Sequence, residues 1–393
     1  MTRLEGKETS PDITAILGDL IAFESVSHRS NLDIVDYIGA LLRKAGVPYR
    51  LIPNAAGDKA SILATIGPVE RPGIVLSAHT DVVPVEGQDW SSPPFAATLR
   101  DGRLYGRGSS DMKGFVASVL AYVPVFAASA RAMPVHLALS YDEEIGCAGA
   151  PDLVAAVAAL PMRPSLCIVG EPTGMRVAYA HKGKLARRVT VLGRGGHSAL
   201  PHRAANAVEA AAAIACDLAA LGAELRVVSN EAFDPPWSSV HVGSLHGGGA
   251  LNLVPDRAVL EFEVRTLPGT DAADVIARID AILQRARRRI REQAAEADVR
   301  VEEISAYPSL DTPADSAAVG AARELAASDA PPLTLAFGTE AGLYAEAGIP
   351  TVVCGPGDIS RAHKADEWIG LDELAAAGRM MQRLADRASQ VPQ

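Results

Sequence analysis

Several features that mark particular protein classes are scarce in this sequence. Its 393 residues include only four cysteines, and aromatic residues make up 5%. The cysteines are Cys147, Cys167, Cys216 and Cys354. Their wide spacing, without a CxxC pair, predicts reduced thiols in a cytoplasmic protein. The N-terminal segment MTRLEGKETS lacks the apolar core of a signal peptide. We also expect no apolar run of the roughly 20 residues that a membrane span needs, and hence no membrane partner.

An excess of basic charge is also missing. The chain has 37 basic and 47 acidic residues and a formal net charge of −10. Phosphate binding requires a concentrated basic face, so we expect no nucleic-acid partner. The arginines within residues 285–291 are the local exception, and they predict a solvated face at the end of a helix. The GxSxG elbow, the HExxH helix, the P-loop and the GxGxxG turn do not occur, and the missing motifs disfavour a serine or cysteine hydrolase.

The first 178 residues alternate between helical and strand patterns. The predicted helices are Asp12–Phe23, Asn31–Ala45, Lys113–Ala128 and Asp152–Leu160. The predicted strands are the short apolar runs Gly73–Ala78, Val135–Ser140 and Leu166–Val169. This alternation predicts an α/β domain with a mostly parallel sheet that is covered on both faces.

The pattern changes near Ala180 to the order βαββαβ, which is typical of a ferredoxin-like α+β sandwich. Its predicted elements are Leu185–Leu192, Ala204–Leu221, Ser239–Leu245, Ala258–Thr266, a helix around Val275–Ile290, and Val299–Ser305. Residues 308–313 read as a return linker, after which Leu333–Gly338 and Thr351–Cys354 are predicted strands. The sequence therefore predicts a discontinuous catalytic domain, residues 1–179 and 309–393, with an inserted domain at residues 180–308.

Five segments with acidic or histidine residues follow predicted strands. They are Ser77–Asp81, Gly106–Gly114, Tyr141–Gly146, Gly170–Thr173 and Ala362–Glu367. A single histidine after a strand is more often structural, and an isolated Glu143-Glu144 pair is more often a solvated surface pair. Five such segments at the carboxyl ends of strands, where ligands bind in open α/β sheets, indicate one site. Gathered carboxylates repel each other, and histidines with carboxylates suit a pair of Zn²⁺ ions.

Longer motifs carry a family resemblance over nearly the whole chain. They are SAHTDVVP, DWSSPPF, LYGRGSSDMKG, DEEIG, GEPT, GRGGHSALP and GTEAGLYAEAGIPTVVCGPGDISRAHKADEW. The chain resembles the zinc aminoacylase and exopeptidase family that includes acetylornithine deacetylase, succinyl-diaminopimelate desuccinylase and carboxypeptidase G. Within the family, GEPT, FGTEA and GPGDISRAHKADE look most like acetylornithine deacetylase. The resemblance implies a zinc-exopeptidase-like catalytic domain in which the inserted domain acts as a lid and dimerisation domain.

The resemblance also implies two Zn²⁺ per chain, with Co²⁺ or Mn²⁺ as possible substitutes. By position, His79 and Glu171 hold one metal, His363 and Glu144 hold the other, and Asp111 bridges both.

Two further residues of the same segments receive catalytic roles. Asp81 lies two residues after His79 in an extended segment, so its carboxylate can orient the imidazole. The resemblance makes Glu143 the general base that takes a proton from metal-activated water and passes it to the leaving amine.

Substrate-binding residues are also implied by the resemblance. Arg265 matches the arginine that binds the substrate carboxylate, Asn252 matches its polar helper, and Gly338 and Thr339 match a loop along the substrate. His197 matches a lid histidine that reaches the active site of the partner subunit in a homodimer. From the residues alone, a surface arginine and a histidine in a glycine-rich turn remain the alternatives.

The leading hypothesis is hydrolysis of the small molecule N2-acetylornithine to ornithine and acetate, a step of arginine biosynthesis. The alternatives are a related aminoacylase, a succinyl-diaminopimelate desuccinylase, or a dipeptidase or carboxypeptidase of the same family. They would share the fold and metals, so only substrate profiling distinguishes them. A non-catalytic binding protein would require loss of a ligand or of Glu143, and the sequence retains them all.

Overall fold

The computed structural model describes residues 12–390. These residues form two compact units. The first contains the described residues up to Tyr179, together with Thr312–Leu333 and the residues from Thr339 onward. The second contains Ala180–Asp311 and Thr334–Gly338, so it interrupts the first along the chain.

Regular secondary structure accounts for most of the described chain. The helices are α1 (Ile13–Ala22), α2 (Leu32–Lys44), α3 (Gly114–Ser129), α4 (Ala150–Ala158), α5 (Ala207–Leu225), α6 (Ala272–Gln293), α7 (Ala317–Ala326), α8 (Ala341–Glu346) and α9 (Leu371–Ser389). The strands are β1 (Tyr49–Pro53), β2 (Ala60–Ile66), β3 (Ile74–His79), β4 (Thr98–Arg100), β5 (Arg103–Tyr105), β6 (Val135–Ser140), β7 (Leu166–Pro172), β8 (Ala178–His181), β9 (Gly183–Leu192), β10 (Gly196–His197), β11 (Ser239–Gly247), β12 (Leu253–Val254), β13 (Arg257–Thr266), β14 (Asp298–Tyr307), β15 (Leu310–Asp311), β16 (Leu333–Leu335), β17 (Thr351–Gly355) and β18 (Trp368–Gly370).

The sheet of the first unit has the order β1-β2-β6-β3-β7-β17. Strands β6, β3, β7 and β17 are parallel to one another, whereas β1 and β2 form an antiparallel edge. Every residue of the parallel strands is buried, which explains why their sequences are continuous apolar runs rather than alternating ones. The predicted mixed α/β fold with a mostly parallel sheet is confirmed.

The core helix of this unit corrects one expectation. The stretch Ser109–Ser129 is long and apolar enough, by composition alone, to cross a membrane. However, 67% of that stretch is buried inside the protein. Helix α3 packs against α1 and α9, and its side chains Phe115, Val119 and Phe126 are at most 1% exposed. Its apolar character is therefore explained by burial in the core of the first unit.

The second unit is a four-stranded antiparallel sheet, in the order β11-β13-β9-β14, with α5 and α6 packed on it. This is the βαββαβ arrangement expected from the sequence. Asn206 caps α5 by accepting hydrogen bonds from the Val208 and Glu209 N–H groups. Because a cap residue lies outside the helix, α5 begins at Ala207 rather than at the predicted Ala204.

The boundaries of the two units also differ from the predicted ones. The second unit extends to Asp311 and also includes Thr334–Gly338, whereas the prediction ended it at residue 308. The extension is a short strand, in which Leu310 pairs with His181 within the predicted linker. Strand β16 ends at Leu335, so the predicted strand Leu333–Gly338 is too long. The sequence analysis also missed β1, at the edge of the sheet, and its neighbour β2.

Gly170 provides a test of the packing between β7 and α3. A Cβ atom on Gly170 would lie 2.1 Å from the ring of Phe115, so Gly170→Ala must displace the strand or the helix. We expect a loss of about 1–3 kcal/mol in the free energy of unfolding, measured by urea denaturation of the metal-free protein. Gly320→Ala in α7 is the control, because its Cβ would meet nothing within 4 Å. The control should be neutral, or more stable by about 0.5–1 kcal/mol. Equal stability of both variants would contradict this packing.

Candidate metal centre

The last residue of β3 begins the site. His79 is 1% exposed, and its Nδ1 lies 2.9 Å from the backbone oxygen of Asp81 and 3.5 Å from the carboxylate of Asp81. The carbonyl is therefore the nearer acceptor for the imidazole, although the sequence analysis expected the carboxylate. Donation from Nδ1 leaves Nε2 free to act as a ligand. That Nε2 atom faces Asp111 Oδ1 at 3.2 Å and Glu171 Oε1 at 3.7 Å.

The carboxylate of Asp81 instead organises the turn that follows β6. Its Oδ1 accepts a hydrogen bond from the Glu143 N–H at 3.1 Å, and its Oδ2 accepts one from the Glu144 N–H at 3.3 Å. The hydroxyl of Ser27 donates to Oδ2 at 2.6 Å. Asp81 thus connects the His79 segment to both adjacent glutamates.

Asp111 occupies the centre of the cluster. It lies in the irregular turn Ser109–Lys113, before α3, and is buried. Its Oδ1 faces His79, while its Oδ2 lies 3.3 Å from the Nε2 of His363. The same His363 nitrogen is 3.0 Å from Glu144 Oε2. The two oxygens of Asp111 therefore face different histidines, an arrangement that suits a carboxylate shared by two cations.

Repulsion among the carboxylates is evident in their protonation. Desolvation and nearby negative charges raise the pKa of Glu143 to about 8 and that of Glu144 to about 7. Desolvation and the charge of Asp111 raise the pKa of Glu171 well above its usual range. A cation placed among them would remove this penalty, because opposite charge favours the ionised form.

The histidines show the complementary effect. Burial works to lower the pKa of His79, but the carboxylates of Asp111 and Asp81 raise it well above its ordinary value. Hydrogen bonds to Asp111 and Glu144 raise the pKa of His363 to about 10. Both shifts have the same physical cause, which is that the surrounding carboxylates favour positive charge at this position.

The donor set fits divalent metals such as zinc, which bind imidazole nitrogen and carboxylate oxygen. His79, Glu143 and Glu171 each offer a ligand atom within 4.8 Å of the others. His79, Asp111 and Glu144 do the same. The first group includes Glu143, which the sequence analysis assigned as the base, so these separations alone do not distinguish a base from a ligand.

The predicted carboxylate-binding arginine lies in the second unit and already has partners. Arg265 Nε and Nη2 donate to the two carboxylate oxygens of Glu263 at 3.1 and 3.2 Å. Its Nη1 donates to the hydroxyl of Tyr307 at 2.9 Å. Arg265 is therefore fixed on β13 by two side chains that the sequence analysis did not identify.

The other predicted substrate-binding residues fall into two places. In the second unit, His197 ends β10 and Asn252 lies just before β12, the strand that pairs with β10, and the Ser198 N–H donates to the Asn252 backbone oxygen at 3.0 Å. Gly338 belongs to the second unit and Thr339 to the first. Thr339 is 1% exposed, and its hydroxyl accepts a hydrogen bond at 3.0 Å from the N–H of Ala341, the first residue of α8.

Supporting residues around the cluster were missed by the sequence analysis. Lys59 Nζ donates to both carboxylate oxygens of Asp142, at 2.6 and 2.7 Å, next to Glu143. Arg107 and Glu367 form an ion pair at 2.8 Å in which each residue is 1% exposed. Asp142, Arg107 and Glu367 lie inside motifs that already contained candidate ligands, whereas Lys59 lies outside all of the quoted motifs.

Histidines and carboxylates at the strand ends of an α/β sheet define a metal-dependent hydrolase. A model of Peptidase family M20/M25/M40 matches residues 75–387, and the chain belongs to this family. The predicted family and enzyme class are thereby confirmed.

Similar proteins agree with this assignment. An acetylornithine deacetylase of Myxococcus xanthus is 35% identical over 96% of this chain and 97% of its own length. An acetylornithine deacetylase of Photorhabdus laumondii is 30% identical over 96% of this chain and 97% of its own length. Among solved structures, a metallo-carboxypeptidase of Sulfolobus solfataricus has a TM-score of 0.78 at 19% identity, covering 96% of this chain and 99% of the other. A dinuclear metal-binding peptidase of Bacillus subtilis has a TM-score of 0.63 at 18% identity, covering 95% and 96%.

The electrostatics of the cluster predict strong stabilisation by metal. Adding Zn²⁺ to chelated protein should raise the melting temperature, because binding to the folded state adds about 2.7 kcal/mol at a free concentration of 100 times Kd. His363→Ala should reduce this shift, since it removes a nitrogen facing both Asp111 and Glu144. His202→Ala, at an exposed position of the second unit, is the control and should retain the full shift. Identical shifts in the two variants would exclude His363 from the metal centre.

Proposed function

We propose that the protein hydrolyses the amide bond of N2-acetylornithine to ornithine and acetate, in the cytoplasm, as a step of arginine biosynthesis. The observation that best supports a two-metal hydrolase is that the two carboxylate oxygens of Asp111 face different histidines. The choice of substrate rests on relatives named acetylornithine deacetylase, which match almost the full chain at 30–35% identity.

Two Zn²⁺ ions are the proposed cofactors. His79 and Glu171 would hold one ion, His363 and Glu144 would hold the other, and Asp111 would contact both. When bound, the ions supply positive charge that polarises the amide carbonyl, stabilises the oxyanion and makes water more acidic.

Glu143 is the proposed general base. Its backbone N–H is held by Asp81, and its Oε1 accepts a hydrogen bond from the Cys147 thiol at 3.3 Å. The carboxylate takes a proton from the water that attacks the carbonyl carbon. It then delivers this proton to the nitrogen as the C–N bond breaks, releasing a carboxylic acid and an amine.

The second unit supplies the proposed recognition of the substrate. Arg265 would bind the substrate α-carboxylate, since a guanidinium suits that group, and Glu263 and Tyr307 fix its position. Asn252 and Gly338 of this unit would assist, as would Thr339 of the first unit. We also propose a homodimer formed through this unit, with His197 acting in the partner's site. The exposed side chains of Leu251 and Leu253, on either side of Asn252, supply apolar surface for such a contact.

Paired isosteric variants separate the base from the ligand. Glu143→Gln should lower kcat by about 10²–10⁴ while metal content stays near that of the wild-type protein, because the variant loses only proton transfer. Glu144→Gln should lose metal, because it removes a carboxylate that faces His363. Each variant is the control for the other. Metal content is measured by elemental analysis, and kcat is measured on the same preparations. If both retain metal, or both lose it, the assigned roles are wrong.

Substrate kinetics test the proposed activity itself. N2-acetylornithine should give the highest kcat/KM in a panel that also contains N-succinyl-diaminopimelate, N-acetyl derivatives of uncharged amino acids, and dipeptides. The α-carboxamide of N2-acetylornithine should be a poor substrate, since it cannot pair ionically with Arg265. A higher kcat/KM for another class would reassign the protein within the family, and equal turnover of the carboxamide would contradict the role of Arg265.

A further inference from the structure

A buried carboxylate outside the candidate ligand set accepts four hydrogen bonds from a single loop. Glu367 is 1% exposed. Its Oε1 accepts from the backbone N–H groups of Ser110 and Asp111, at 2.8 and 3.0 Å. Its Oε2 accepts from the Gly108 N–H at 2.9 Å and from Arg107 Nη1 at 2.8 Å. Four donors converging on two oxygens fix this loop against Glu367.

The guanidinium of Arg107 extends these contacts to the segment that contains His363. Its Nη1 also lies 3.3 Å from the backbone oxygen of Lys364. Its Nη2 donates to Gln88 Oε1 at 2.6 Å, and the amide nitrogen of Gln88 donates to the backbone oxygen of His363 at 3.1 Å. The ring of Trp90 covers the guanidinium, with its centroid 5.1 Å from the Arg107 Cζ.

We propose that the Arg107–Glu367 pair is a clamp that sets the position of Asp111 relative to His363, so that both members are positioning residues for the metal pair. This proposal rests on the ligand assignment of the proposed function. His363 needs such support, because its φ of 61° lies in the left-handed region that side-chain-bearing residues rarely adopt. Glu367 itself is four residues away along the chain, so one carboxylate attaches the His363 segment to the backbone of Asp111.

A carboxylate is the group that these donors require. A glutamine at position 367 would keep only one oxygen, and its amide nitrogen would face N–H donors at the other end. It would also leave Arg107 without the charge that compensates it. An aspartate would retain the charge but would be one methylene shorter, so it could not reach all four donors.

Zinc affinity of the full-length chain tests the clamp, with competition against a chelator as the measurement. Glu367→Gln and Glu367→Asp should each raise the zinc Kd about 10- to 100-fold, as substitution of groups that orient metal ligands does. In the Co²⁺-substituted protein, the visible absorption should change as well, because it reports ligand geometry. Glu367→Asp keeps a charge beside Arg107. If Glu367→Gln does not fold, the zinc affinity of Glu367→Asp alone tests the clamp.

Glu373→Gln is the matched control. Glu373 also accepts from an arginine and from a backbone N–H, those of Arg361 and Gly370, both at 2.7 Å. It should keep wild-type zinc affinity and the wild-type Co²⁺ spectrum. Wild-type affinity in both Glu367 variants would overturn the clamp and leave the proposed function intact. A wild-type protein that binds no divalent metal would overturn the proposed function, and the clamp with it.

Discussion

Carboxylates held close together at one edge of a sheet are the constraint on which this structure depends. Desolvation and mutual repulsion raise the pKa of Glu143, Glu144 and Glu171, so this arrangement opposes their ionisation. It persists because the surrounding backbone holds each side chain independently. Parallel strands bring their carboxyl ends to one edge, and buried hydrogen bonds then fix the loops. A divalent cation placed among these side chains would relieve the same repulsion.

Two buried carboxylates, Asp81 and Glu367, support different parts of the cluster. On one side, Asp81 receives the N–H groups of both glutamates of the DEE turn. On the other, Glu367 receives the N–H of Asp111. Both supports are buried carboxylates that accept several hydrogen bonds. Contacts with His79 and Ser27 and the Glu143 N–H outweigh burial and lower the pKa of Asp81, whereas burial still raises the pKa of Glu367 despite its hydrogen bonds. The chain thus uses additional carboxylates, satisfied by backbone donors, to place those that face the proposed metals.

Much of this could be predicted from the sequence, because the relevant signals are local. The buried strands β3, β6 and β7 are continuous apolar runs, and the candidate ligands follow them directly. Strand β1, at the edge of the sheet, is partly exposed and carries a weaker pattern. Its neighbour β2 is buried at all but one residue and was missed despite its apolar run. The roles of Arg107 and Glu367 join positions 260 residues apart, and no local periodicity reports such a contact. Arg265 was found only through family resemblance, whereas its partners Glu263 and Tyr307 became visible with the fold.

The central claim is that Asp111 bridges two metal ions held by opposite halves of the cluster. Anomalous diffraction from crystals grown with zinc, collected on both sides of the zinc absorption edge, tests it most directly. The account predicts two peaks per chain, one beside His79 and Glu171 and one beside His363 and Glu144, with an oxygen of Asp111 coordinating each. A single peak, or two peaks of which Asp111 contacts only one, would contradict it.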